Sequence, residues 1–154
     1  MSVSEPTQAH QKLEKLVGVW KGEETLAPSP WDHLGGTAQA TVLNRSALNG
    51  LAIVQEYEQE RGGTVSLLGH GVFTWDPRQE CYLMHWFDSM GRPPNVFTGN
   101  FEGDQLVLHH QDEQGHSRAL FDFSGSDSYT FQMKVSKDTH HWYTFMEGRY
   151  WRQR

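Results

Sequence analysis

One cysteine, Cys81, stands in 154 residues, so no internal disulfide staples this chain and no Cys-x-x-Cys pair offers a metal or redox site. Long apolar runs are equally missing, since no window reaches the ~18 consecutive apolar residues of a membrane-spanning helix. Basic residues are in the minority, 13 Lys and Arg against 19 Asp and Glu, and the formal net charge of -6 removes any general attraction for nucleic acid or anionic membranes. The opening residues, 1–11, are polar and lack the charged start and apolar core of a secretory signal, so a cytoplasmic location is expected. There is no Gly-rich phosphate loop, no nucleophile elbow around Ser29, Ser66 or Ser89, and no repeat.

Aromatic side chains are what the chain has in quantity. The apolar fraction is a modest 36%, but six Trp, eight Phe and five Tyr concentrate burial into side chains that each hide roughly 150–250 Å². Between them, turn residues recur at nearly regular spacing. Leu13, Leu16 and Val17 at helical spacing predict a short helix over 7–16. From Gly18 the period changes to two, with Trp20, Gly22, Glu24 and Leu26 on one face. Nine further strands are expected at 37–47, 51–60, 64–75, 80–88, 96–102, 105–110, 117–123, 129–136 and 142–152, with Asn49-Gly50 as the strongest two-residue hairpin signal. Ala27-Pro28-Ser29-Pro30 breaks the ladder, and the loop on to Gly36 is long enough to fold over a barrel mouth. Consecutive strands joined by tight turns form a meander, and closing it removes two unpaired edges. The expected fold is therefore all-β, a closed antiparallel up-and-down barrel of about ten strands with a short N-terminal helix. It forms one domain over 1–154, with the barrel at 17–152.

Five ordered segments carry a resemblance across nearly the whole chain: Leu16-Val-Gly-Val-Trp-Lys-Gly-Glu-Glu, Gln55-Glu-Tyr-Glu-Gln-Glu, Gly69-His-Gly-Val-Phe-Thr-Trp-Asp, His85-Trp-Phe-Asp-Ser-Met-Gly and Phe145-Met-Glu-Gly-Arg-Tyr. Together they resemble a bacterial family catalogued as domain of unknown function fifteen-seventy-nine. The Gly18-Val19-Trp20 start is similar to the opening of lipocalins, fatty-acid-binding proteins and other calycins. That resemblance implies a Trp20 closing the barrel base under a late arginine, Arg149 or Arg152. The strand count is also similar to nitrobindin-like haem barrels, which would imply a haem ligand near His140 or His141. The primary expectation is no cofactor and no metal, with haem as the minority alternative.

A barrel of this kind works through its interior, so inward polar and pliable residues are the candidates for ligand binding. They are Trp20, Glu56, His70, Met84, Trp86, Arg118 and Met133. Glu56 and Glu58 share a face, which suits two solvated charges, the favoured reading, or a paired-carboxylate site, and an inward Glu56 would need a cation such as Arg118 or Arg45. Adjacent histidine pairs point to opposite faces and do not suit zinc, and alternation separates His85 from Asp88. The expected partner is a small hydrophobic or amphipathic molecule, with a homodimer as an additional form. Two alternatives stand beside this binding role. One is a small-molecule enzyme using a carboxylate or His general base in the cavity, and the other is a non-catalytic structural or dimerisation module.

Overall fold

Inward and outward side chains alternate from Gly18 to Arg152 in the computed structural model, which describes residues 2–30 and 32–154. Among the described residues ten strands form: β1 (Gly18–Leu26), β2 (Gly36–Ala47), β3 (Ala52–Arg61), β4 (Thr64–Asp76), β5 (Cys81–Asp88), β6 (Asn95–Glu102), β7 (Gln105–Asp112), β8 (Gly115–Asp122), β9 (Ser128–Ser136) and β10 (Tyr143–Arg152). Each pairs antiparallel with its neighbours in sequence, and β1 pairs with β10 from Trp20↔Arg152 to Leu26↔Met146, closing the barrel. No helix among the described residues is long and apolar enough to cross a membrane.

One end of the barrel, the base, is shut by the N-terminal segment. The helix α1 (Gln8–Lys12) begins where the Thr7 N–H donates to His10 Nδ1 at 3.0 Å, and it runs into a tight turn, Leu13–Leu16. Leu13 and Leu16 are fully buried against Trp20, Val42, Ile53 and Tyr82. Burying each leucine stabilises by roughly 1.5–3 kcal/mol, which holds so short a helix in place. Its terminal carbonyl, on Leu16, accepts two side-chain bonds from the barrel, Trp20 Nε1–H and Asn44 Nδ2–H, both at 2.9 Å.

The arginine over Trp20 is Arg152. Its guanidinium carbon lies 4.3 Å from the ring centroid, and Nη1–H donates to the Val17 carbonyl. Arg149, the other candidate for barrel closure, points outward and is exposed, because Gly148, Tyr150 and Arg152 occupy alternate positions and only Arg152 shares Trp20's face at their paired register.

Two turns show how local chemistry set the strand ends. Gly62 and Gly63 both take positive φ, 60° and 82°, and join β3 to β4 in two residues. The Asn49-Gly50 connection is longer than a two-residue hairpin. Leu48, Asn49 and Gly50 all take positive φ and β3 starts at Ala52, so the link is a short coiled turn. At Gly99 a side chain is impossible, because an added Cβ would lie 1.9 Å from the Val107 carbonyl oxygen.

At the other end, the mouth, the β1–β2 connection is fastened to the rim. Arg61 bonds Asp32 at 2.6 Å and the Gly35 carbonyl at 2.6 Å, while the Tyr143 hydroxyl donates to the Pro28 carbonyl at 2.8 Å. Trp31, within the expected mouth-covering loop, lies outside the described residues.

Replacing Arg152 with Ala removes the cation over Trp20 and the bond to Val17, and is expected to lower stability by about 2–3 kcal/mol. Arg149→Ala, on the solvated face, is expected to stay within about 0.5 kcal/mol of wild type. Urea midpoints at unchanged m-value check the contrast, and equal losses would contradict the assignment.

Candidate functional site

The lower half of the interior is filled. Val42, Ile53, Phe73, Leu106, Leu108, Ala119 and Phe121 interdigitate above Trp20 and Tyr129, with Phe73 edge-on to Phe121 at 5.8 Å. Nothing polar is needed there, and the chemistry begins one layer up. Glu24 projects inward from β1, two positions beyond Gly22 on the face that carries Trp20, and it is only 1% exposed.

A carboxylate so deeply placed must be answered by donors. The Tyr57 hydroxyl lies 2.7 Å from both of its oxygens, Gln59 Nε2 donates to Oε1 at 2.9 Å, and the Tyr150 hydroxyl donates to Oε2 at 2.5 Å. Ser66 extends the network by donating to Gln59 Oε1 at 2.9 Å. No ion pair to Glu24 forms among the described residues. Burial first, and then the Glu24 charge, push the Tyr57 and Tyr150 phenols far above their ordinary range, and Tyr129 is raised by the same causes. Phenols held this way donate hydrogen bonds and do not exchange protons near neutrality.

Glycines make room for the rings of this layer. A Cβ at Gly22 would meet Tyr150 Cδ1 at 2.3 Å, and one at Gly148 would meet the Tyr150 hydroxyl at 2.2 Å, so the ring lies against the β1 and β10 backbones and delivers its hydroxyl to Glu24. A Cβ at Gly69 would meet the far edge of the Trp86 indole at 2.2 Å. Trp86 therefore spreads over β4, edge-on to Tyr57 at 5.8 Å, and its Nε1–H donates to Asp88 at 3.0 Å.

Of the candidate ligand-binding residues, Trp20, Met84, Trp86 and Met133 do face inward, Trp20 at the sealed base and the other three around the middle layer. Glu56, His70 and Arg118 do not. In β3 the inward positions are taken by Ile53, Gln55, Tyr57 and Gln59, so Glu56 and Glu58 fall outside. Glu56 then pairs across the ladder with His70 at 2.6 Å, both side chains about half exposed. His70 is outside because Gly69, Gly71 and Phe73 are the buried members of β4. Arg118 is outside because Ala119 and Phe121 face the core.

An acid–base pair built from Glu56, His70, His85 and Asp88 is thus not assembled inside the barrel. His140 and His141 lie on an exposed turn where both backbone N–H groups donate to Asp138. The described residues hold no cluster of three His, Cys, Asp or Glu able to grip a metal. Burial raises the Cys81 thiol, which suits a packing residue more than a nucleophile.

Sequence reasoning missed Glu24, Tyr57, Gln59 and Tyr150 as a set. A signal existed for Glu24, which alternation from Trp20 already places inside. Two concavities also open outside the lumen. One of about 330 Å³ sits at the base beside Lys15 and Arg152, and one of about 660 Å³ lies on the outer wall over β6–β8.

The raised phenols carry a pH dependence. Below about pH 10 these tyrosines are protonated in both folded and unfolded chains. Above it the unfolded chain releases protons that the folded chain keeps, so stability falls by about 1.4 kcal/mol per pH unit for each such tyrosine. Tyrosinate absorbance recorded beside far-UV circular dichroism is expected to show Tyr57, Tyr129 and Tyr150 ionising only as the fold is lost. A smaller tyrosinate signal from the still-folded Tyr57→Phe or Tyr150→Phe protein would contradict this.

Three solved structures share the fold. Rv2717c from M. tuberculosis is 14% identical, with a TM-score of 0.74 over 97% of this chain and 100% of its own. The S-type phycobiliprotein lyase CPES from Guillardia theta is 12% identical, with a TM-score of 0.64 over 97% of this chain and 99% of its own. A redesigned β-barrel is 13% identical, with a TM-score of 0.50 over 98% of this chain and 100% of its own. No curated protein matches the chain at a significant level. Residues 5–152 match the family described as "Protein of unknown function (DUF1579)", and the chain belongs to that family.

Proposed function

We propose that this protein binds a small, largely apolar molecule in the mouth half of its barrel. The carrying observation is a difference between the two halves. The lower half is packed, and its partly exposed Trp75 and Phe101 stand at the base, Phe101 under Lys12 and Lys15 of the N-terminal segment, whereas Leu67, Trp86, Phe131 and Met133 pack against the core higher in the barrel and stay partly exposed. Inward apolar surface that water still reaches is surface a ligand can cover, at roughly 25 cal/mol per Å². Met84 and Met133 are unbranched and adapt to irregular shapes, which suits a binding wall.

Polar orientation would come from Gln55. Its side chain faces inward from β3, is 6% exposed, and makes no hydrogen bond among the described residues. It lies opposite Gly71, with Cβ 3.6 Å from where a glycine substituent would stand, so its amide is set beside the Trp86 ring. A single carbonyl or hydroxyl on an otherwise apolar ligand could pair with that amide. The Glu24 network beneath would act as a rigid floor, fixing Tyr57 and hence the tilt of Trp86. The phycobiliprotein lyase of similar fold supports this reading only as a precedent in architecture.

A neutral apolar fluorophore, N-phenylnaphthylamine, provides a direct test on the full chain. Saturable enhancement of its emission is expected, and Met133→Trp, which fills the lumen, should weaken binding by at least about tenfold while circular dichroism stays unchanged. Gln55→Leu should leave this neutral hydrocarbon-like probe bound. Absence of saturable binding, or binding indifferent to Met133→Trp, would sink the lumen as the site.

A further inference from the structure

The outer wall carries a second arrangement that the lumen does not use. Thr98, His109, Arg118 and Lys134 are successive register partners on β6, β7, β8 and β9, and they form one transverse row of outward side chains. Directly opposed residues stand about 4.5–5.5 Å apart at Cβ, and like charges placed so are unfavourable. Arg118 and Lys134 are such a pair, and neither has a carboxylate partner among the described residues.

Arg118 is also half-buried without an answer to its charge. Its guanidinium carbon stacks 4.1 Å from the Trp142 ring centroid, and Nε is buried with no hydrogen-bond partner. Among the described residues the other two half-buried arginines are both matched, Arg61 by Asp32 and Arg152 by Asp127. Stacking on Trp142 uses the face of the guanidinium and Nε is sealed, which leaves the two Nη groups, unbonded among the described residues, as the donors that can grip a carboxylate or phosphate oxygen.

Thr98, His109 and Arg118 of this row line a groove of about 660 Å³ together with Trp142, and Lys134 stands one strand beyond Arg118. No Asp or Glu lines it among the described residues, in a chain with 19 of them. Thr98 and His116 add polar side chains, and Pro94 and Val96 add an apolar wall. Burial, and then the Arg118 charge, hold His109 below its ordinary range against the opposing charge of Glu102. The volume falls within the roughly 300–1,000 Å³ of small-molecule sites, far above what a bare ion fills.

We propose that this groove binds a small organic molecule through an oxyanion group, a carboxylate or a phosphate, seated on the Nη groups of Arg118, with Lys134 as the neighbouring cation on β9. The site is separate from the lumen and stands or falls independently of it.

Benzoate and inorganic phosphate are the probes, titrated calorimetrically into the full chain at constant ionic strength, with benzamide as the uncharged control. Binding of either anion, weakened at least about tenfold by Arg118→Gln, less by Lys134→Gln, and not by the lumen variant Met133→Trp, is the expected result. Benzoate alone identifies a carboxylate ligand, phosphate alone a phosphorylated one, and both an oxyanion site that does not discriminate. Failure of both anions to bind, equal binding by benzamide, or equal affinity in a folded Arg118→Gln protein overturns the proposal.

Discussion

Everything above the base rests on how Trp20 is held. Its indole is 1% exposed, donates to the Leu16 carbonyl, meets Tyr129 edge-on at 4.8 Å, and lies under the Arg152 guanidinium. One side chain thereby joins the N-terminal turn to the first, ninth and last strands. In this meander every other pairing joins consecutive strands, and the β1–β10 seam is the pairing that hairpin turns cannot supply. Placing a hydrogen-bonded, cation-capped aromatic at that seam offsets the entropy of bringing the chain ends together.

A second constraint follows inside the closed wall. A buried carboxylate costs several kcal/mol unless donors replace its water, and Glu24 obtains three from side chains on two other strands. Tyr150 can reach it only because Gly22 and Gly148 let its ring lie flat against the backbone. The same device, at Gly69, spreads Trp86 against β4 and orients it over Tyr57. The polar layer and the partly exposed aromatic layer above it are thus a single packing solution, and the lumen proposal depends on both.

The sequence made the ladder legible, because period-two alternation and Gly or Pro turns are local signals. It also placed Trp20, Gly22, Glu24 and Leu26 on one face, which the structure shows to be the inside. In β3 the choice of face stayed open for a physical reason: Gln55, Tyr57 and Gln59 on one face and Glu56 and Glu58 on the other are both polar sets, so hydrophobicity cannot choose between them. Burial chose the set in which Tyr57 and Gln59 hydrogen-bond each other and Glu24. Irregularities added to the difficulty, since the ladder shifts between Gln59 and Glu60 against β4 and between Thr144 and Met146 against β9. Shifts of this kind reverse which face a residue takes and leave no local mark.

What the chain determined by itself is therefore the number and order of strands, the short helix, the closure of the barrel and the aromatic character of its interior. These follow from backbone propensities and from alternation, which act over a few residues. Tertiary structure alone decided which arginine caps Trp20, that Glu24 and not Glu56 is the buried acid, and that Arg118 meets Trp142 and Lys134 on the outer wall. Each of those outcomes depends on register and desolvation between strands distant in sequence, where a displacement of one residue exchanges inside for outside.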